Sequence, residues 1–324
     1  MLKAAIVGLG RWGQVLVESV QGKSDAIQFT AGITRTPAKA ADFTKKHGLS
    51  LDSDYAAMLK DPSIDAVVLA TPHQQHADQI VAASKAGKHI FVEKPFTLTK
   101  ASAAKSVAAA DKAGVVLALG HNRRFLPAVL ELKSRLKAGA LGTILHAELN
   151  HSGASGLQFR PDNWRADRKE SPAGGMGAMG IHMVDMAINL FGPMSDVHAM
   201  SIRRAIAVDL DDTTSMLLRF QNGMTGYLAT LAATTPTQRI EVFGTKGTIE
   251  IRNERFFTFR PIQGEPEHTD YPPFDKERAE LDAFAAAVAG KAPYPLPNDE
   301  AIHGIAVFEA IVKSAETGKT AAVK

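Results

Sequence analysis

The sequence predicts an α/β protein: a doubly wound parallel sheet first, then an α+β domain with an open, mostly antiparallel sheet. Three observations carry that prediction. Through residues 1–120 short apolar runs alternate with helical segments, a glycine triplet directly follows the first run, and beyond Gly120 strand-like runs succeed one another without helices. A chain of 324 residues exceeds the roughly 100–200 residues of one domain. We therefore expect a dinucleotide-binding domain at 1–120 and a substrate and oligomerisation domain at 121–324, with the C-terminal helix able to pack back on the first.

In the first domain the apolar runs Ala4–Val7, Ile27–Ile33, Ala66–Ala70, His89–Val92 and Val115–Leu119 read as strands. The helices between them are Gly13–Val20, Pro37–His47, Asp54–Lys60, His73–Ala86 and Thr99–Ala113. Pro37 suits a helix start, Ser53 can cap the segment after it, and Gly48, Gly87 and Gly114 suit helix ends. Strands alternating with helices imply right-handed crossovers and a parallel sheet.

In the second domain a helix at Pro127–Lys137 leads through GALG into a strand at Thr143–His151. The Gly- and Met-rich stretch SPAGGMGAMG precedes an amphipathic helix at Ile181–Phe191. Strands are expected at Val197–Ile206, Thr213–Phe220, Met224–Thr230, Gln238–Phe243, Thr248–Arg252 and Arg255–Arg260, with hairpin turns QNG and GTKG among them. Helices near Asp275–Val288 and Asn298–Ser314 close the chain.

Composition narrows the function classes. The chain has no cysteine, which excludes disulfides, thiolate zinc sites, iron–sulfur clusters and cysteine nucleophiles. Lys plus Arg is 37 against 34 Asp plus Glu, a net charge of +3, and the pairs Arg123–Arg124 and Arg203–Arg204 stand alone. That is no nucleic-acid footprint. The opening MLKAAIVGLGRWG breaks its apolar run after a few residues, short of the roughly 7–15 that a signal peptide needs and the roughly 20 of a membrane span. A cytoplasmic protein without membrane or nucleic-acid partners is expected.

The motif GLGRWG follows the first strand and opens a helix. Gly8 permits the tight turn, Gly10 lets the backbone approach a pyrophosphate, and Gly13 allows close strand–helix packing. The helix N-terminus then offers unpaired N–H groups to phosphate. An acidic residue about 20 positions further on would take a ribose 2′-hydroxyl in an NAD enzyme. Here the second strand ends in Thr34 and Arg35, with Lys39 one turn on. A hydroxyl and a guanidinium suit a 2′-phosphate, so NADP is expected over NAD.

The fourth strand ends in ATPHQQH and the fifth in FVEKPF. Pro95 places Glu93 and Lys94 at the carboxyl edge of the sheet, where ligands bind in such folds. A lysine there can exchange a proton with a substrate oxygen. His182 and Asp185 share one face of the second domain's amphipathic helix. Met176, Met179, Met183 and Met186 around them read as core filling. A metal site completed by His151 or His146, or one built on His73 and His76, lacks further ligand spacing, so no metal is expected. Trp164 could stack on a ring and Arg165 clamp a phosphate or a substrate oxygen, or the tryptophan could simply pack beneath a loop.

In their order and spacing, GLGRWG, ATPHQQH, VEKP, GHNRRF, GALG, WR and GIHMVD together resemble the Gfo/Idh/MocA oxidoreductases over almost the whole chain. The resemblance implies a Rossmann domain, a C-terminal sheet that forms a homodimer or homotetramer interface, and hydride transfer to or from a sugar, polyol or related carbonyl compound. It implies that Lys94 is the catalytic lysine, His182 a substrate-binding or proton-handling histidine, and Asp185 a substrate contact. Leu9, Gly10, Arg11, Trp12, Thr34, Arg35, Thr71, Pro72, His76, Glu93 and Asn122 match cofactor-lining positions, and Trp164 and Arg165 a cofactor-contacting pair. Many members carry an aspartate four residues before the histidine, where this chain has Ala178. Two other readings follow from that departure and from the family's breadth: a non-catalytic NADP-binding regulator, and a glycosidase-like enzyme that retains its nicotinamide.

Overall fold

The computed structural model describes residues 1–324. Its elements run β1 Leu2–Val7, α1 Arg11–Val20, β2 Ile27–Ile33, α2 Ala41–His47, β3 Ser50–Asp52, α3 Tyr55–Leu59, β4 Ala66–Leu69, α4 His76–Lys85, β5 His89–Glu93, α5 Lys100–Ala113 and β6 Leu117–Gly120. They continue with α6 Pro127–Lys137, β7 Ile144–Ser152, α7 Gly180–Phe191, β8 Met194–Ile202, β9 Thr213–Phe220, β10 Thr225–Leu231, β11 Thr237–Gly244, β12 Gly247–Arg252, β13 Phe256–Pro261 and β14 Glu267–Asp270. The last are α8 Lys276–Val288, α9 Asn298–Thr317 and β15 Ala321–Ala322.

The chain divides into two units, Met1–Asn122 with Asp275–Ala301, and Arg123–Phe274 with Ile302–Lys324. Sequence reasoning puts everything past residue 120 in one second domain; in the structure α8 belongs to the first unit. Leu281 and Phe284 of α8 are fully buried in the core that holds Leu16, Val17 and Phe29. The Phe284 ring lies 5.8 Å from that of Phe91. The helix α8 thus returns to the core of the first unit.

Six parallel strands form the first sheet in the order β3-β2-β1-β4-β5-β6. Successive strands run outward from β1 in one direction and then from β4 in the other, so the switch point lies between β1 and β4. Carboxyl ends of the strands open a ligand crevice at such a point. The central strands β1 and β4 are buried on both faces, as Ala4, Ile6, Val67 and Val68 show, the pattern of a sheet covered by helices on each side.

In the second unit nine strands order as β14-β13-β12-β11-β7-β10-β9-β8-β15, antiparallel except for the β7–β10 pair. Alternation assigns one face to the core through Ala147, Leu149, Leu218, Leu228, Ile240 and Val242, all buried. Helix α7 covers that face; Met176, Met179, Met183 and Met186 fill the space beneath it, as expected. Within this unit α9 is tied to β8. The Met194 N–H donates to His303 Nε2 at 3.0 Å and the Ala199 N–H to Ser314 Oγ at 2.9 Å.

Three expected elements differ, one of them the helix foreseen at His73–Ala86, which begins as a 3₁₀ turn at His73–Gln75 before α4. The strand foreseen at Val197–Ile206 stops at Ile202, because the Asp212 carboxylate accepts the N–H groups of Arg204, Ala205 and Ile206 at 2.9, 2.6 and 3.0 Å. Those three donors are lost to a sheet ladder. The helix foreseen at Pro37–His47 splits into a 3₁₀ turn at Pro37–Lys39 and then α2. Strands β3, β14 and β15, of 3, 4 and 2 residues, are too short to register as sequence patterns.

Candidate functional site

In the first unit the site begins at the β1–α1 turn. Gly8 has φ +99°, and a Cβ there would lie 2.6 Å from the Ala70 carbonyl oxygen. A Cβ on Gly13 would come within 1.9 Å of the Gly8 carbonyl oxygen. Both positions are thus closed to side chains by backbone packing. Gly10 differs: a Cβ on it would meet nothing within 4 Å. It caps α1 without a side-chain hydrogen bond, and no acidic residue stands in the first turn. The open ground before an uncapped helix N-terminus suits an anionic phosphate group. A dinucleotide pyrophosphate fits that cradle.

The other expected cofactor residues fall around it. Leu9 is buried and packs over Gly32, so only its backbone faces the turn. Arg11 is exposed and Trp12 half-buried. Thr34 follows β2, its N–H donating to the Asp52 carbonyl at 3.0 Å, and Arg35 and Lys39 are exposed beyond it. Thr71 and Pro72 form the turn after β4, where Thr71 Oγ1 donates to Gln79 Oε1 at 2.6 Å.

His76, expected to line the cofactor, sits beneath the turns after β4 and β5. It is fully buried, with Nε2 3.0 Å from the Thr71 carbonyl and Nδ1 3.0 Å from the Pro95 carbonyl. Burial holds its pKa below the ordinary histidine value, against backbone hydrogen bonds at Thr71, Pro95 and Phe96 that pull it up. Its ring therefore clamps the β4 turn to the β5 turn.

Glu93 ends β5, Lys94 follows it, and the Lys94–Pro95 peptide is cis. Lys94 is half-buried, whereas Glu93 is 5% exposed and its Oε2 accepts the Lys94 N–H at 3.3 Å. Burial raises the Glu93 carboxyl from 4.5 to about 7, against lowering by the Lys94 charge, the Trp12 indole N–H and the Lys94 backbone; the Glu277 charge adds to the rise. A carboxyl whose pKa rises on folding favours the folded state while protonated. Its ionisation between pH 4.5 and about 7 therefore costs stability. The Trp12 N–H points toward Glu93, yet neither Trp12 Nε1 nor Glu93 Oε1 closes a hydrogen bond of good geometry. Two such buried polar atoms beside the glycine turn suit a polar ligand group. Asn122 is buried, and its Nδ2 donates to Glu277 Oε1 at 3.1 Å.

The second unit holds its own polar cluster. His182, near the start of α7, is buried, its ring 5.7 Å from that of His151 on β7. His151 Nδ1 lies 3.1 Å from the Met179 carbonyl. On its other side, Gln238 of β11 accepts from His151 Nε2 at 3.1 Å and from Arg123 Nη2 at 3.0 Å, and donates to Glu254 Oε1 at 2.9 Å. Asp185, the expected substrate contact, pairs with Arg124. Arg124 grips it with Nε 3.0 Å from both carboxylate oxygens and Nη2 2.7 Å from Oδ1, both side chains being buried.

Trp164 and Arg165 lie in a 3₁₀ turn, the guanidinium 4.2 Å above the indole ring. The tryptophan is half-buried and the arginine exposed. No group of three or more His, Asp or Glu side chains is arranged to hold a metal ion. Sequence reasoning missed Glu277, Gln238, Glu254 and the tie of Arg124 to Asp185. No local motif marks any of them; each partner is distant in sequence, brought in by strand register, by the return of α8 or, for Asp185, by α7.

The six-stranded order, the glycine turn at its switch point and the lysine at the β5 edge define a dinucleotide-binding α/β protein. Residues 2–121 match the family model for oxidoreductases with an NAD-binding Rossmann fold, and residues 129–250 match the Gfo/Idh/MocA C-terminal domain. The chain belongs to the Gfo/Idh/MocA oxidoreductase family. It is 27% identical to the uncharacterized oxidoreductase YrbE of Bacillus subtilis, across 98% of this chain and 96% of that one. It is 26% identical to 1,5-anhydro-D-fructose reductase of Ensifer adhaerens, across 98% and 99% of the two chains. Levoglucosan dehydrogenase in complex with NADH shares the fold, with a TM-score of 0.88 at 24% identity over 100% of this chain and 99% of the other.

Proposed function

We propose that this oxidoreductase uses NADP to oxidise or reduce a sugar, polyol or related carbonyl compound, with Lys94 handling the proton on the reacting oxygen. The observation that carries the reading is the placement of Lys94. It stands at the carboxyl end of β5, beside Glu93, in the same unit as the Gly8–Gly13 turn. The nicotinamide supplies the hydride acceptor or donor when bound. Gly10 and the α1 N-terminus hold the pyrophosphate, and His76 ties the turn after β4 to the turn after β5. In the second unit His182, backed by His151, binds substrate hydroxyls. Relatives named for an anhydrosugar and for levoglucosan support a carbohydrate-like substrate.

The NADP preference rests on Thr34, Arg35 and Lys39, which put a hydroxyl and two exposed cations where an NAD enzyme places a carboxylate. The test is a binding and turnover series with both cofactors across a panel of sugars and polyols, repeated with Arg35→Ala. Losing one charge-assisted phosphate contact should weaken NADP about 10–100-fold and leave NAD within about twofold. Equal loss for both cofactors sinks the 2′-phosphate role, and no turnover on any substrate sinks the oxidoreductase reading.

The open face of the nine-stranded sheet bears Met200, Ile202, Leu217 and Phe256, 64%, 49%, 60% and 45% exposed. Ion pairs of Arg239 with Glu148 and Glu241 lie on the same face. Apolar side chains exposed on one open sheet face mark an interaction surface, and this face supports a homo-oligomer formed through the sheet. Light scattering that returns a monomer mass overturns it.

A further inference from the structure

We infer that His76 is a positioning residue for Lys94: its ring holds the turn that carries the lysine against helix α4. The role rests on the function proposed above, in which Lys94 handles the proton on the reacting oxygen. Lys94 leaves β5 between Glu93 and Pro95, both buried, and is itself half-buried. Pro95 brings no N–H to the turn, so its carbonyl is the backbone group by which that residue can be held. His76 Nδ1 lies 3.0 Å from that oxygen. A carbonyl oxygen only accepts, so the ring donates, as the Nδ1–H tautomer or as the cation. A buried carbonyl left without a donor is costly, which favours the arrangement with this bond made. Phe96 and Thr97 beyond it are buried as well, so Lys94 stands just before an anchored stretch.

The second ring nitrogen works on the other turn, and the two turns are not held alike. Nε2 lies 3.0 Å from the Thr71 carbonyl. One helical turn along α4, Gln79 reaches the same residue, its Oε1 accepting from Thr71 Oγ1 at 2.6 Å. Helix α4 therefore grips Thr71 by its carbonyl and by its hydroxyl. Proline has neither a hydroxyl nor an N–H, so Pro95 takes its tie to α4 through His76. Losing the Nδ1 bond should loosen the Lys94 turn, while Thr71, at a position matched to the cofactor, keeps its bond to Gln79. A proton-transfer group displaced by about 1 Å can lose about 10²-fold in rate. The effect belongs in kcat and not in cofactor binding.

Asparagine and glutamine separate the two nitrogens. The Asn amide nitrogen falls near the place of Nδ1 and the Gln amide nitrogen near that of Nε2. His76→Asn can therefore donate to Pro95, and His76→Gln to Thr71. In the full-length enzyme His76→Gln should lower kcat about 10–100-fold and leave the dissociation constant of NADP within about threefold. His76→Asn should recover most of that kcat. The backbone amides of Lys94, Phe96 and Thr97 should exchange with deuterium faster in the Gln variant than in the Asn variant. Equal kcat in the two variants overturns the inference, as does a loss of NADP binding as steep as the loss of kcat. Where neither variant folds, nitrogen NMR of isotopically labelled histidine in the unsubstituted protein decides. A protonated Nδ1 on His76 supports the tie, and a bare Nδ1 overturns it. Unsubstituted enzyme without turnover on any sugar or polyol removes the proposed function, and faster amide exchange in His76→Gln then leaves the tie standing. Turnover that is the same in His76→Gln and the unsubstituted enzyme does the reverse.

Discussion

Lys94→Ala is expected to lower kcat by about 10²–10⁴-fold, with the dissociation constant for NADP changed by no more than a few-fold. The loss corresponds to about 3–5 kcal/mol of barrier. Lys94 follows the last residue of β5, at the strand end where the parallel sheet opens, and does not belong to the Gly8–Gly13 cradle that takes the pyrophosphate. Its removal should therefore cost proton transfer and spare most of the binding. Electrostatics adds a second signature. The Lys94 charge pulls the Glu93 carboxyl down, so the variant should keep Glu93 protonated to higher pH, and any pH dependence of cofactor binding should move up. Steady-state kinetics paired with a fluorescence titration of NADP separates the two effects. Lys94→Arg keeps the charge but cannot give up a proton, so it should restore the Glu93 titration and not the turnover. If kcat survives Lys94→Ala, the lysine is not the proton-handling group. If binding is lost as steeply as turnover, the side chain serves binding uniformly and not the reacting oxygen.

Locality decides what the sequence discloses. The glycine turn is legible because backbone contact alone dictates it: nothing but glycine fits where a Cβ would lie 1.9 Å from the Gly8 carbonyl oxygen. The parallel sheet is legible for a similar reason, since buried runs such as Val67–Leu69 alternate with helices and admit few topologies. Partnerships within the sites are another matter. Asn122 and Glu277 are 155 residues apart, Arg124 and Asp185 are 61 apart, and His151 meets Gln238 across 87. Each depends on where a helix returns or how two strands register, which no short window contains. The strand that stops at Ile202 shows the same limit at close range. The residues after it alternate well enough, and only the folded position of Asp212 claims their N–H groups.

Asp185 carries a substrate role expected from the sequence and a buried pairing with Arg124 in the structure, and stability measurements weigh the second. A carboxylate facing substrate, once removed, should raise KM and leave stability nearly unchanged. The structure instead gives Asp185 to Arg124 in a two-pronged pair whose side chains are 6% and 4% exposed. Removing one partner of a buried ion pair leaves the other charge in a poor solvent, at a cost of about 3–5 kcal/mol. Asp185→Ala should therefore destabilise the second unit by about that much in urea unfolding, whether or not substrate is present. The desolvation argument also fixes the sign for the double change. Arg124→Met with Asp185→Leu removes both charges and keeps much of the volume, so most of the lost stability should return. A small loss in the single variant, or a double variant no better than the single, would show that the pair does not act as a buried unit. A KM effect without a stability effect would give the aspartate back to the substrate.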